Sequence, residues 1–277
     1  MGKIKLIGLG VLVLAGLVLS WACRKRVEPL PYPPPLVGPG RLLLERFLLR
    51  APVVAVDKGR EMGRSGAWMV TLAQGEGKTT RAVFKSVRRQ RPAMMPDSYT
   101  YELAAYELDR LLDLNLIPVM VERKLDGRPG SLQVFLEGVE TEKSRLRKNL
   151  QPPDLQAFQN QLDDITLLEN LTCTPRQDLG DLLIQTDAWK VWRVDFAEAF
   201  MPSTEMAADR LIRRASRKFT AALRGWDEAQ VRKKLARYLN ASELEALVRR
   251  RQLILEEIDR LIRQKGEAAV LYGPEGS

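Results

Sequence analysis

Up to about residue 140 the chain is built mainly of short runs with strand-like alternation, and from Pro152 onward apolar residues recur at helical spacing. That change of period constrains the fold more than any other feature. Side chains on a strand switch face at every residue, whereas those on a helix return every three or four. After the helical spacing of RLLLERFLL come three β-rich pieces, APVVAV, AWMVTL and RAVFKSV, separated by DKGREMGRSG and AQGEGKTT. Glycines in those separators supply the positive φ that tight hairpins need. DSYTYELAAYELDRLLDL follows, with Leu103, Tyr106, Leu108, Leu111 and Leu112 mostly on one side of a helix. IPVMVERKL and SLQVFLEG then flank the turn DGRPG, so the order is β-β-β-α-β-β.

The second half reads as helices: LQAFQNQLDDITLLENL, MAADRLIRRASRKFTAALRG, DEAQVRKKLARYL and SELEALVRRRQLILEEIDRLIRQKG. The last is expected to start at a capping box of Ser242 with Glu245 and to stop at Gly266. Only DLLIQTDAWKVWRVD interrupts with the look of a hairpin. The expected fold class is therefore α+β, with a β-rich N-lobe over 41–140, a mainly helical C-lobe over 141–270 and a short tail over 271–277. A cleft between two such lobes is the natural place for a ligand.

The start of the chain carries a different signal. Lys3 and Lys5 precede an uncharged run from Leu6 to Cys23, and Arg24, Lys25 and Arg26 follow at once. That run is about long enough to cross a bilayer, so residues 1–26 read as a signal or anchor segment. LSWAC resembles a bacterial lipobox in which Cys23 would be lipidated; the alternative is an uncleaved single-pass signal anchor. Flanking charge leaves the side of the membrane open. Residues 27–40, VEPLPYPPPLVGPG, form a proline-rich spacer, because proline fixes φ and lacks the N–H that helices and central strands use.

Composition removes several chemistries. The 277 residues contain no histidine, which excludes the Ser-His-Asp triad, the Cys-His dyad and histidine metal sites. Two cysteines are too few for a disulfide framework or a zinc site. A formal net charge of +9 suggests anionic partners, whether phospholipid, nucleotide or nucleic acid. The bases of RLIRRASRKF and LVRRRQLILEEIDRLIRQK interleave with leucines and, in the second run, with acids at helical spacing, as on solvated helix faces, and lack the interleaved aromatics of a nucleic-acid surface.

Three residues point to chemistry. Lys85 ends AVFK on the same side as Val83, facing inward or into the cleft. An inward lysine needs an acid, and Glu102 lies in the first turns of the next helix. A strand lysine paired with a helix glutamate fixes nucleotide phosphates in kinases. Asp195 follows the strand VWRV, a carboxylate at a strand exit suited to a hard cation such as Mg²⁺.

RAVFKSV, YELAAYELDRLL, IPVMVERKLDGRPGSLQVFLEG, DLGDLLI and WKVWRVDFAEAF together resemble the bacterial branch of the protein-kinase-like fold related to phosphoinositide-kinase and secretory-pathway-kinase catalytic domains. The resemblance spans roughly residues 45 to 270. It implies that Lys85 holds the α/β-phosphates of ATP, that Glu102 orients Lys85 and that Asp195 binds the metal. It also implies that Gly59, Gly63 and Gly66 lie over the nucleotide, and that Leu136 to Val139, Glu137 included, is the hinge met by adenine.

The loop TCTPRQDLGD departs from the family pattern. Active members show N-x-D-R-x-x-G-N; here Thr174 stands at the first asparagine, Arg176 at the catalytic aspartate and Asp181 at the metal-binding asparagine, while Gly180 matches. Arginine accepts no proton in a protein, so Asp178 is the candidate base. The expectation is a membrane-tethered, pseudokinase-like binding or scaffolding module that holds ATP and Mg²⁺ and meets an unknown protein or lipid partner. The alternative is an active ATP-dependent kinase acting on a protein, lipid or small-molecule hydroxyl. A basic nucleic-acid-binding protein, the second alternative, has only the charge in its favour.

Overall fold

A computed structural model describes residues 36, 38, 40–62, 66–89, 97–175, 178–207 and 209–274. The anchor segment with Cys23, most of the spacer, Gly63 and Arg176 lie outside them. Among the described residues no helix is long and apolar enough to cross a membrane.

Helix α1 (Gly40–Arg50) buries Arg41, Leu44, Phe47 and Leu48 along one face. Strands β1 (Val53–Met62), β2 (Ala67–Gly75) and β3 (Lys78–Lys85) follow as an antiparallel meander. After the two-residue strands β4 (Arg88–Arg89) and β5 (Asp97–Ser98) comes helix α2 (Tyr99–Leu111), started by Ser98, whose Oγ accepts the Thr100 N–H. Strands β6 (Met120–Leu125) and β7 (Arg128–Val134) form a hairpin. Its turn places both Asp126 and Gly127 at positive φ, the geometry whose twist matches the flanking strands. The antiparallel sheet runs β1-β2-β3-β7-β6, so β7, although late in sequence, pairs directly with β3.

Sequence periodicity placed α2 with one apolar side. It is buried nearly all round, including Tyr101, Glu102, Leu103, Ala104, Ala105 and Tyr106. The cause is its position between the sheet, against β6 and β7, and the helical region, against a later helix.

Strand β8 (Val139–Thr141) carries the chain out of the sheet and pairs with β9 (Leu182–Gln185), itself hairpinned to β10 (Lys190–Arg193). Between β8 and β9 lie α3 (Glu142–Arg147) and α4 (Leu155–Thr172). The remainder is β11 (Ala215–Ser216), α5 (Arg217–Arg224), α6 (Glu228–Leu235), α7 (Ala241–Lys265), α8 (Glu267–Val270) and β12 (Leu271–Tyr272). One continuous core runs from Phe47 and Phe84 in the first region through Leu108 to Leu168, Trp192, Phe219 and Ile258 in the second.

Three local expectations are corrected. The helical pattern of MAADRLIRRASRKFTAALRG yields a helix only from Arg217, where Ser216 caps the Phe219 N–H. Residues 209–214 stay irregular because tertiary bonds claim them: the Arg210 carbonyl accepts from Asn170 Nδ2, and the Arg210 guanidinium reaches the Thr174 and Pro175 carbonyls. The capping box of α7 uses Asn240 with Glu243 rather than Ser242 with Glu245. Ser242 instead donates to Asn240 Oδ1, and Glu245 pairs with Arg232. Residues 271 and 272 are not part of a free tail. They add β12 beside β11, and the Tyr272 hydroxyl lies 2.6 Å from the Asn160 carbonyl and 2.7 Å from Asp164 Oδ1.

Candidate nucleotide and metal site

A cavity of about 450 Å³ opens between the sheet and the helical region. Ala67, Val83, Leu136, Val139, Leu183 and Val194 supply its apolar walls, and Lys85, Glu102, Asp181 and Asp195 gather as its charged group. Its size and its mixture of apolar wall with a few convergent polar groups are those of a small-molecule site.

Lys85 reaches it because β3 alternates: Val83 and Lys85 share the cavity face while Ala82 and Phe84 are buried on the other. Its Nζ donates to Glu102 Oε1 at 2.5 Å and to Asp195 Oδ1 at 2.9 Å. The second Glu102 oxygen accepts the Phe196 N–H at 3.1 Å, which ties α2 to the strand exit at Asp195. Burial lowers the Lys85 pKa, but Glu102 and Asp195 outweigh it and raise the pKa above that of a free lysine, so the cation is kept. Burial likewise pushes Asp195 up; Lys85 and Arg193 overcome it and hold this carboxyl below the usual range. Glu102 is raised by burial, against the pull of Lys85 and with the push of Asp195.

Asp195 has left-handed backbone (φ 67°), an uncommon state for a residue with a Cβ. Its neighbours fix it: the Arg193 N–H donates to the Leu116 carbonyl at 2.9 Å, and the Val194 N–H to the Asp181 carbonyl at 3.0 Å. That last bond also sets Asp181 beside the strand exit. Burial, with Asp195 and Asp178, pushes the Asp181 carboxyl up to about 6 against the opposing pull of Arg193.

Asp181 and Asp195 fit a divalent cation. Both are oxygen donors on one cavity wall, and Asp181, raised by burial and neighbouring carboxylates, is a group that a cation would relieve. Among the described residues no cluster of three or more metal-ligating acids or cysteines occurs, so phosphate or water oxygens would complete the shell.

The remaining expected residues are placed differently. Gly59 lies within β1, where its N–H donates to Asp57 Oδ1, and Gly66 sits at positive φ before β2; neither lines the cavity, although the adjacent Ala67 does. Glu137 points away: its carboxylate grips Arg81 through two hydrogen bonds on the surface, and the Arg81 guanidinium stacks 4.2 Å over Phe135. In the hinge stretch it is Leu136 and Val139 that face the cavity. Asp178 is exposed, absent from the cavity wall, and closed into a turn in which its Oδ1 accepts the Gly180 N–H at 2.8 Å.

Sequence reasoning passed over a buried ionic hub behind the site. Arg193 and Glu169, each 1% exposed, pair at 2.7 Å, and Arg193 extends to Asp181 at 3.6 Å. Glu169 also faces Arg210, which holds the Thr174 and Pro175 carbonyls. The only sign was an acid inside the apolar run of α4 and an arginine inside the strand VWRV; neither names its partner.

No known family model and no curated protein matches the sequence. Among solved structures, hydra Fam20 with sugar matches over 92% of this chain and 97% of its own, with a TM-score of 0.63 at 15% identity. The Golgi casein kinase matches over 86% of this chain and 81% of its own, with a TM-score of 0.60 at 16% identity. The same kinase with Mn/ADP bound matches at a TM-score of 0.60 and 15% identity, over 86% of this chain and 80% of its own.

The fold is kinase-like. The charged cluster around Lys85 sits in the cavity between sheet and helical region, and the antiparallel sheet and helical half anticipated from the two periodicities are both present.

Proposed function

We propose that this chain is a membrane-tethered, kinase-like protein that binds a nucleotide with a divalent cation in the cavity between sheet and helices. On this reading it serves as a binding or scaffolding module rather than a phosphotransferase. One observation carries it: Lys85, inside the cavity, bridges the helix acid Glu102 and the strand-exit acid Asp195. A lysine so fixed presents its remaining N–H to phosphate oxygens. The Golgi casein kinase solved with Mn/ADP bound supports nucleotide and divalent cation as the ligand class. Asp181 and Asp195 would hold the cation, most simply Mg²⁺, which when bound neutralises phosphate charge.

The acceptor side supports binding over transfer. Transfer to a hydroxyl uses a carboxylate near the acceptor. Asp178, the candidate base, is committed to the Gly180 N–H outside the cavity wall, and the sequence places Arg176 where family members carry aspartate. Tethering rests on the apolar run from Leu6 to Cys23 and the spacer after it.

Saturable thermal stabilisation by Mg-ATP that disappears in Lys85→Ala is the expected result. Equal melting of the wild type with and without Mg-ATP would sink the nucleotide reading. ATP turnover that survives purification and vanishes in Asp195→Ala would replace the binding module with an active kinase.

A further inference from the structure

Two polar side chains in the cavity, Ser131 and Gln133, have no role in the charged cluster, and Gln133 is the one set toward the hinge. On β7 Ser131 and Gln133, and just past its end Phe135, line the cavity while Leu132 and Val134 are buried behind them, as alternation requires. The register with β3 sets their order: Ser131 is opposite Lys85 and Gln133 is opposite Val83. Gln133 therefore stands one same-face step, about 7 Å, from the level of Lys85 toward the hinge at Leu136. Around it the walls are apolar, namely Ala67, Val83, Phe135, Leu136 and Leu183. Gln133 is half-buried, and its carboxamide has no protein hydrogen-bond partner among the described residues.

A carboxamide offers one acceptor and two donors on a flat group. Placed without partners in an apolar pocket, it loses water when a ligand enters and must find its bonds on that ligand. The geometry points to Gln133 as the residue that reads the nucleobase, pairing its carboxamide with the exocyclic amino group and adjacent ring nitrogen of adenine. This rests on the nucleotide reading above. Lys85 then fixes the phosphate end and Gln133 the base end. Adenine's edge presents the matching donor and acceptor side by side, as in the bidentate amide–adenine pairs of nucleic-acid recognition. A site built to hydrogen-bond a substrate group rejects the analogue lacking it, because its own polar atoms are left unpaired.

The test compares Mg-ATP with the Mg complex of purine riboside triphosphate, which lacks only the amino group, by titration calorimetry on the full-length chain in detergent. The wild type is expected to bind ATP about tenfold more tightly than the analogue. Gln133→Leu and the near-isosteric Gln133→Met should both bring the two affinities within about twofold, through weaker ATP binding, while melting normally without nucleotide. An ATP preference undiminished in both folded variants overturns the assignment and leaves the nucleotide site standing. A wild type that binds neither compound overturns both readings at once.

Discussion

The two ends of the candidate site contrast in how firmly they are built. At the strand exit, three charged side chains from three separate elements converge. Lys85 of β3, Glu102 of α2 and Asp195 after β10 are joined at 2.5 and 2.9 Å, with Glu102 only 2% exposed. On the loop before β9, Asp178 is exposed and bonded to its own backbone neighbour Gly180. Burying charges is costly unless each is paired, so an assembly like the first persists only where geometry satisfies every member. A local turn at the surface asks for nothing of the kind. The difference teaches that, on the proposed reading, binding and transfer would be separable: the Lys85 cluster is held by tertiary structure, whereas Asp178 belongs to a local surface turn.

The contrast is broken most severely by removing a partner on the buried side. Glu102→Ala should cost about 3 kcal/mol in urea unfolding, because it strands the Lys85 charge and frees the Phe196 N–H. A loss under 1 kcal/mol would show that the cluster is not an integrated unit. Asp195→Asn comes next: it keeps the side-chain shape, weakens the hold on Lys85, and should abolish the part of nucleotide stabilisation that depends on Mg²⁺. Undiminished Mg²⁺ dependence would remove Asp195 from the cation site.

A pH comparison sharpens the role of Asp181. Its folded pKa of about 6 lies above the usual 3.8, so the folded chain holds its proton more tightly and ionisation opposes folding. Without nucleotide or metal, the advantage of Asp181→Asn over wild type should be absent below about pH 4. It should grow through pH 4 to 6 and level off above, at about 3 °C in melting temperature. An advantage that is flat with pH would refute the burial argument. The smallest effect belongs to the other end: Asp178→Ala should cost only about 0.5 kcal/mol, the value of a local side-chain bond, and leave any residual ATP turnover unchanged. A large fall in turnover would restore Asp178 as a base.

Much of the site was legible because its residues sit on regular elements. Alternation on RAVFKSV turns Lys85 to the side of Val83, and the first turns of α2 offer Glu102. Gly59, Gly66 and Glu137 were less legible, since a glycine near a turn or an acid at a hinge has no periodicity to say where it points. The pairing of Arg193 and Arg210 with Glu169 could not be read: the partners lie 24 and 41 positions apart in the chain, and only packing of α4 against β10 and the 209–214 segment introduces them.

By itself the sequence determined the succession of the longer sheet strands around α2, the hairpin turns and the inward face of β3. Each follows from bonds and side-chain periods within a few residues. The tertiary structure alone decided that β7 pairs with β3, which puts Gln133 on the same wall as Lys85, and that Asp178 turns away while Asp181 turns in. The physical reason is that long-range pairing and the balance of burial against charge depend on which surfaces meet, and no local pattern records that.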